Sequence, residues 1–296
     1  MSEAAFPSLR GRVCIVTGAG RGFGRLMALG LVRQGALVLG SAARSAAEIA
    51  ETARLAAQVP GGGRFVPARG DVSEPADCER LVQSALGEFG RLEVLINNAA
   101  RGPREANENF FVARPKFWEA PADAFRRMVD TNLSGQFYMA KAATPHMLAR
   151  GFGRIVNIST SLPTMVGQGM AVYGACKAAL ETLSVVWSRD LAGTGVTCNV
   201  LLPGGPADTE LIPGGVVGTR AKADFRQGKG PRGDEGRGGG ILPADIMVTP
   251  TLWLAADDSA AYNGRRFVAK DWDPELTPAV AAEGAVQAQF DAPRIM

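Results

Sequence analysis

Short apolar runs alternate along the chain with longer stretches whose apolar residues recur at three- and four-residue spacing. The runs at 12–17 (RVCIVT), 36–41 (ALVLGS), 64–68 (RFVPA), 92–97 (LEVLIN), 154–159 (RIVNIS), 196–202 (VTCNVLL) and 265–269 (RRFVA) have the length and residue types of buried strands. Between them, 25–34, 46–58, 75–89, 122–148, 171–191 and 244–256 read as helices. Glycines 61–63 end the second helix, and Pro145 interrupts the fourth late in its course. This alternation predicts a doubly wound α/β fold. A parallel sheet of about seven strands would carry helices on both faces, with the ligand site beyond the carboxyl ends of the strands.

The first of those ends is rich in glycine. Gly18, Gly20, Gly22 and Gly24 separate the first strand from the first helix. Glycine lets the backbone turn with positive φ and lie close to a ligand, while the helix N-terminus directs free N–H groups at an anion such as a dinucleotide pyrophosphate. The same turn also serves simply to pack a helix on a strand, so at this point both readings stand.

Composition narrows the field. A chain of 296 residues, 46% hydrophobic and 21% charged, can bury one large core with extensions. The net charge of +3 comes from scattered residues with no basic run, which argues against a nucleic-acid partner. Cys14, Cys78, Cys176 and Cys198 form no CxxC pair and His146 is the one histidine, so neither a metal site nor a disulfide framework is expected. Residues 1–10 lack the pattern of a signal peptide, and no apolar run approaches the about 18 residues of a membrane span. The expectation is a soluble, cytoplasmic protein.

From about residue 12 to 269 the chain resembles the short-chain dehydrogenase/reductase family. The residues that carry the resemblance are Thr17-Gly18 with Gly22 and Gly24, the Asn97-Asn98-Ala99 run that ends the fourth strand, Asn132 in the long helix, and Tyr173 with Lys177 in the next. The family implies a nicotinamide-dependent oxidoreductase in which Tyr173 is the general acid/base, Lys177 also holds the nicotinamide ribose, and Asn132 holds a water linking Lys177 to solvent. Physics supports the pairing of tyrosine and lysine. Four residues apart on a helix, they share one face, and the ammonium favours the phenolate. Moving a tyrosine from about 10 to neutrality takes about 4 kcal/mol of differential stabilisation, which the lysine together with an oxidised nicotinamide ring could supply in a site that excludes water. The family's serine position, 13 residues before the tyrosine, is Thr160 here, flanked by Ser159 and Ser161; Thr160 and Ser161 are joint candidates for holding the substrate oxygen.

Cofactor choice turns on the end of the second strand. NAD-preferring relatives carry an acidic residue there, whereas this chain has Ala42, Ala43 and then Arg44. With no carboxylate expected to oppose it, a 2′-phosphate could be clamped by Arg44 and by Arg21 in the glycine turn, so NADP is expected, with NAD possible. By resemblance, Gly18, Gly20, Arg21, Gly22, Phe23 and Gly24 would cradle the dinucleotide. Asp71 and Val72 would border the adenine, Asn98 and Ala99 would line the ribose, and Pro203, Gly204 and Thr209 would form the nicotinamide loop, with Thr209 one residue later than usual. The family's NNAG reads NNAA here, which puts Ala100 where the chain normally turns tightly.

Two insertions depart from the family's core. Residues 101–121 contain Phe110, Phe111, Phe117 and Trp118, which are expected either to wall the substrate cleft or to meet a second subunit. Residues 212–243 carry ten glycines and read as a lid or as plain disorder. The catalytic domain is expected to span 1–272, with a tail at 273–296 that could reach a neighbouring subunit. The family also implies a homodimer or homotetramer. The leading expectation is a carbonyl reductase or alcohol dehydrogenase acting on a small-molecule ketone or secondary alcohol with a bulky apolar group. The alternatives are a nucleotide-binding regulatory protein with little turnover and an NAD-dependent dehydrogenase of a polar or sugar-acid alcohol.

Overall fold

The computed structural model describes residues 5–108, 110, 114–211 and 241–287. Its strands are β1 (Val13–Val16), β2 (Leu37–Ala42), β3 (Arg64–Arg69), β4 (Val94–Asn97), β5 (Gly153–Ile158), β6 (Val196–Leu202), β7 (Arg266–Val268) and β8 (Val286–Gln287). They form one sheet in the order β3-β2-β1-β4-β5-β6-β7-β8, parallel throughout except where β8 runs antiparallel to β7. The central strands β1, β4, β5 and β6 are buried at every position, which is why they read as nearly unbroken apolar runs. At the edge, β3 alternates between exposed and half-buried residues and tolerates Pro67.

Helices cover both faces. On one side α1 (Gly22–Arg33) and α8 (Val248–Ala255) pack Met27, Leu31, Leu252 and Trp253 against the sheet; on the other, α3 (Pro75–Phe89) and α5 (Gly135–Leu148) bring Leu81, Val82, Met139 and Met147. The remaining helices are α2 (Ala46–Ala56), α4 (Ala122–Val129), α6 (Leu162–Met165), α7 (Ala171–Asp190) and α9 (Pro278–Ala285). Strand order reverses between β1 and β4, and a crevice opens at such a switch point beyond the carboxyl ends.

Three expectations change in detail. The sheet has eight strands because the segment after β7 returns to it: Ala281, Ala282 and Ala285 of α9 are buried with Phe267 and Trp272, and β8 then pairs with β7. Small residues at three- and four-residue spacing let α9 lie close, a weaker signal than a run of leucines. The expected helix at 122–148 is divided by a π turn over Asp130–Ser134, whereas α5 continues through Pro145. The turn carries Asn132, which is fully buried. No helix among the described residues is long and apolar enough to cross a membrane, and those residues contain no cluster of metal-ligating side chains.

Candidate functional site

The glycine turn is fixed from both sides. Thr17 Oγ1 accepts the amides of Asn98 and Ala99, each at 3.0 Å, and Asn98 Nδ2 donates to the Thr17 carbonyl at 2.8 Å, so the ends of β1 and β4 are tied together. Gly18 has φ +67° and Gly22 φ +52°, conformations that favour glycine. Gly24 serves packing instead: a Cβ there would lie 2.2 Å from the Gly18 carbonyl oxygen. Beneath the turn, Arg25 donates to the Gly20 carbonyl, to Glu48 O at 3.2 Å and to Thr52 Oγ1 at 3.0 Å, and Thr52 Oγ1 donates to Ala19 O at 2.9 Å. Neither Arg25 nor Thr52 stands out in the sequence, because each reads as an ordinary polar helix residue.

One cleft of about 360 Å³ runs from Arg44, Asp71 and Val72 past Gly18, Gly20, Arg21, Gly22, Phe23, Asn98 and Ala99 to Tyr173 and Lys177, and Pro203 and Thr209 also line it, Thr209 beside Gly22. Gly204 holds φ +91° beside Lys270 and Val268 and does not line it. Ala100 does line it; no non-glycine residue among those described has positive φ, so the added methyl causes no backbone strain. The N-terminus of α1 opens onto this cleft without a side-chain cap, leaving its first N–H groups to an anion. These residues could hold an extended dinucleotide, whose pyrophosphate would meet the N-terminus of α1.

At the far end Tyr173 and Lys177 project from the first turns of α7. Burial pushes the Tyr173 phenol up to about 12 and Lys177 down to about 8, the latter opposed in part by Glu181. Burial raises the phenol here, and the expected fall toward neutrality calls on the lysine together with an oxidised nicotinamide ring. Lys177 Nζ stands 6.0 Å from the ring centroid and donates to the Ile158 carbonyl at 2.6 Å, and desolvation outweighs its field. In the chain by itself Tyr173 is a protonated donor.

The neighbouring hydroxyls are now distinguished. Thr160 lines the cleft; Ser161 does not, and its Oγ lies 3.0 Å from Thr164 Oγ1 at the start of α6. Ser159 donates to Glu181 Oε1 at 2.6 Å, Glu181 is paired with Arg266 at 3.0 Å, and Arg266 Nη2 donates to the Thr160 carbonyl at 3.0 Å. Glu181 and Arg266 thus hold the 159–160 peptide, a role that no local motif announces. The Asn132 amide accepts from Arg101 N at 2.7 Å and donates to Arg101 O at 2.8 Å, so its side chain pins the loop after β4. It lines no part of the cleft.

Toward the adenosine end both arginines have carboxylate partners, against expectation. Arg21 pairs with Glu48 at 3.3 Å and Arg44 with Glu105 at 3.4 Å. Glu105 also meets Arg101 at 3.3 Å and Arg127 at 3.4 Å, and these guanidinium groups hold its carboxyl below the usual range despite its burial. The sequence conceals this pairing because Glu105 comes from the insertion, 61 residues after Arg44.

The aromatic wall is only partly realised. Phe110 is buried and lines the cleft, but Phe117 and Trp118 are 72% and 69% exposed and stack edge-to-face on each other at 5.0 Å. Phe111, and residues 212–240 of the 212–243 stretch read as a lid or as disorder, lie outside the described residues.

Sheet order, glycine turn and the Tyr173–Lys177 pair define a dinucleotide-binding oxidoreductase fold. The family model for short chain dehydrogenases matches residues 12–213, and the chain belongs to that family. It is 32% identical to a 3-oxoacyl-acyl-carrier-protein reductase of Salmonella typhimurium, over 87% of this chain and 95% of that one. It is also 34% identical to a cis-4-hydroxycyclohexanecarboxylate dehydrogenase of Sinomonas cyclohexanicum, over 73% and 81% respectively. A doubly substituted Serratia marcescens short-chain dehydrogenase/reductase superposes with a TM-score of 0.72 at 27% identity, covering 88% of this chain and 96% of that one.

Proposed function

We propose that the protein is an NADP(H)-dependent oxidoreductase that interconverts a ketone and a secondary alcohol bearing a bulky apolar group. The observation that carries this reading is one continuous cleft with Arg44 and the glycine turn at one end and Tyr173, Lys177 and Thr160 at the other. A bound nicotinamide dinucleotide supplies or accepts the hydride. Tyr173 delivers its proton to the carbonyl oxygen in reduction and recovers it in oxidation, while the Thr160 hydroxyl donates a hydrogen bond to that oxygen. Lys177 holds the nicotinamide ribose and, charged, stabilises the phenolate that Tyr173 becomes after proton loss.

Ala42 and Ala43 at the end of β2 offer no carboxylate to a ribose 2′-hydroxyl, and Arg21 and Arg44 lie beside them, which supports NADP over NAD. Phe110, Met170 and Leu211 give the substrate end its apolar surface. The relatives named above, a 3-oxoacyl reductase and a hydroxycyclohexanecarboxylate dehydrogenase by their names, are in keeping with either direction. Exposed Phe137 and Val186, on α5 and α7, with Phe137 stacked 6.4 Å from Trp187, support a homodimer or homotetramer formed through these helices. The experiment is a nicotinamide absorbance assay with a panel of ketones and alcohols and both cofactors. Cofactor binding without any turnover across the panel would favour a regulatory role instead.

A further inference from the structure

Five arginines line the cleft, and four of them are engaged. Arg21 pairs with Glu48, Arg44 and Arg101 pair with Glu105, and Arg104 Nη1 donates to the Glu210 carbonyl at 3.5 Å. Arg114 makes no hydrogen bond or ion pair among the described residues, although it is half-buried. Partial burial of a guanidinium without an acceptor costs free energy that a ligand can recover.

The fold places this residue deliberately close to the chemistry. Gly169 has φ +80°, and a Cβ added to it would lie 3.1 Å from Arg114 Cβ and 3.4 Å from Arg114 Cα. Only glycine lets the 114 backbone seat there, four residues before Tyr173 in the chain. Phe110, Met170 and Thr164 line the cleft with it and carry no charge, and no ion pair joins Arg114 to a cleft carboxylate among the described residues. The phosphates of the proposed dinucleotide would instead be met by the N-terminus of α1, Arg21 and Arg44.

We propose that Arg114 receives a carboxylate carried by the substrate, so that the natural substrate is a keto acid or hydroxy acid with an apolar body between the reacting carbon and the acid. This rests on the ketone/alcohol reading and narrows it. A guanidinium reads a carboxylate through paired N–H donors, which an ammonium cannot reproduce in geometry, and it penalises neutral analogues that leave it unpaired.

Two measurements test it separately from turnover as such. Benzoate and benzamide are titrated by calorimetry into the NADPH complex of the wild type, Arg114→Gln and Arg114→Lys. Wild type should prefer benzoate. Arg114→Gln should lose about ten- to hundredfold in benzoate affinity, the range of a charge-assisted hydrogen bond, and Arg114→Lys should fall between. Equal NADPH affinity in all three shows that the variants are folded. In parallel, the kcat/KM ratio of 4-acetylbenzoate to its methyl ester should drop by a similar factor in Arg114→Gln. Unchanged benzoate affinity, or an unchanged ratio, overturns the carboxylate site while leaving ketone reduction intact. Arg114-dependent benzoate binding with neither ketone reduced overturns the ketone reading and retains the site.

Discussion

Lys177 donates to the carbonyl of Ile158, the last residue of β5, at 2.6 Å. That bond anchors the start of α7 to the sheet and holds an ammonium that is 2% exposed without a carboxylate in contact. Burial brings its titration down to about 8, with the more distant Glu181 opposing. Turnover that needs the charged lysine should therefore decline as pH rises through about 8.

Global stability should follow a different course. Cys14, Cys78, Cys176 and Cys198 are all buried with their thiols pushed up by desolvation. Unfolded thiols lose protons near about 8.5, where the native chain retains them, so above that pH the native state binds more protons and stability falls. Lys177, lowered on folding, contributes in the opposite sense between about 8 and 10.4, but four thiols outweigh one lysine. Thermal midpoints and turnover measured across the same buffers should show activity declining before stability does. Coincident losses would point to unfolding as the cause of both.

Tyr173→Phe removes the proton donor while keeping the ring that packs with Val172 and Cys176. Turnover should fall by about 10²- to 10⁴-fold, the usual weight of a positioned acid or base, and NADPH should still bind. Fluorescence titration of the cofactor beside steady-state rates makes the comparison. Turnover near the wild-type level would assign the proton to another group.

Thr160 and Ser161, joint candidates in the sequence, now have different predicted outcomes. Thr160→Val removes the hydroxyl of a residue that lines the cleft and should lower kcat with little change in thermal midpoint. Ser161→Ala removes the partner of Thr164 at the N-terminus of α6 and should cost about 1 kcal/mol or less of stability with kcat largely kept. Equal and mild effects on kcat would deny both a place in the chemistry.

Much of the fold was legible because the central strands are buried on both faces and so are apolar throughout: β6 occupies the expected residues, and β1, β4 and β5 differ by a residue or two at their ends. Periodicity could not show α9 and β8, whose contacts rely on alanine and on a two-residue pairing. The π turn at Asn132 was hidden for another reason: no residue of its own segment signals it, and the bond its side chain makes is to Arg101, 31 residues away. The same holds in the site. Tyr173, Lys177 and the glycine turn sit in local motifs, whereas Glu105, Glu181 and Arg266 act through partners 61, 22 and 106 residues distant, in Arg44, Ser159 and Thr160. Of the aromatic insertion, Phe110 lines the cleft, whereas Phe117 and Trp118 stack on each other in the open.

The pairing of Arg44 with Glu105 also changes the cofactor prediction. Glu105 is held by three guanidinium groups, two of which, Arg101 and Arg127, come from the insertion and α4 rather than from the cofactor side. Arg44 is the most exposed of the three, at 56% for its side chain, so its ion pair is weak and easily exchanged. A 2′-phosphate brings nearly two negative charges and three acceptor oxygens, and should draw Arg44 away from a carboxylate that keeps its other partners. Arg44→Ala should then weaken NADPH by about tenfold or more while leaving NADH within about twofold, a difference of about 1.4 kcal/mol specific to the phosphate. Glu105→Gln should shift NADPH the other way, toward tighter binding, because Arg44 no longer has to leave a charged partner. Ala42→Asp should favour NADH by offering the ribose hydroxyl an acceptor and the phosphate a like charge. Dissociation constants of both cofactors for the three variants decide the matter. If Arg44→Ala weakens NADPH and NADH equally, the guanidinium contributes to the cleft in general and the preference for NADP has to be sought in Arg21.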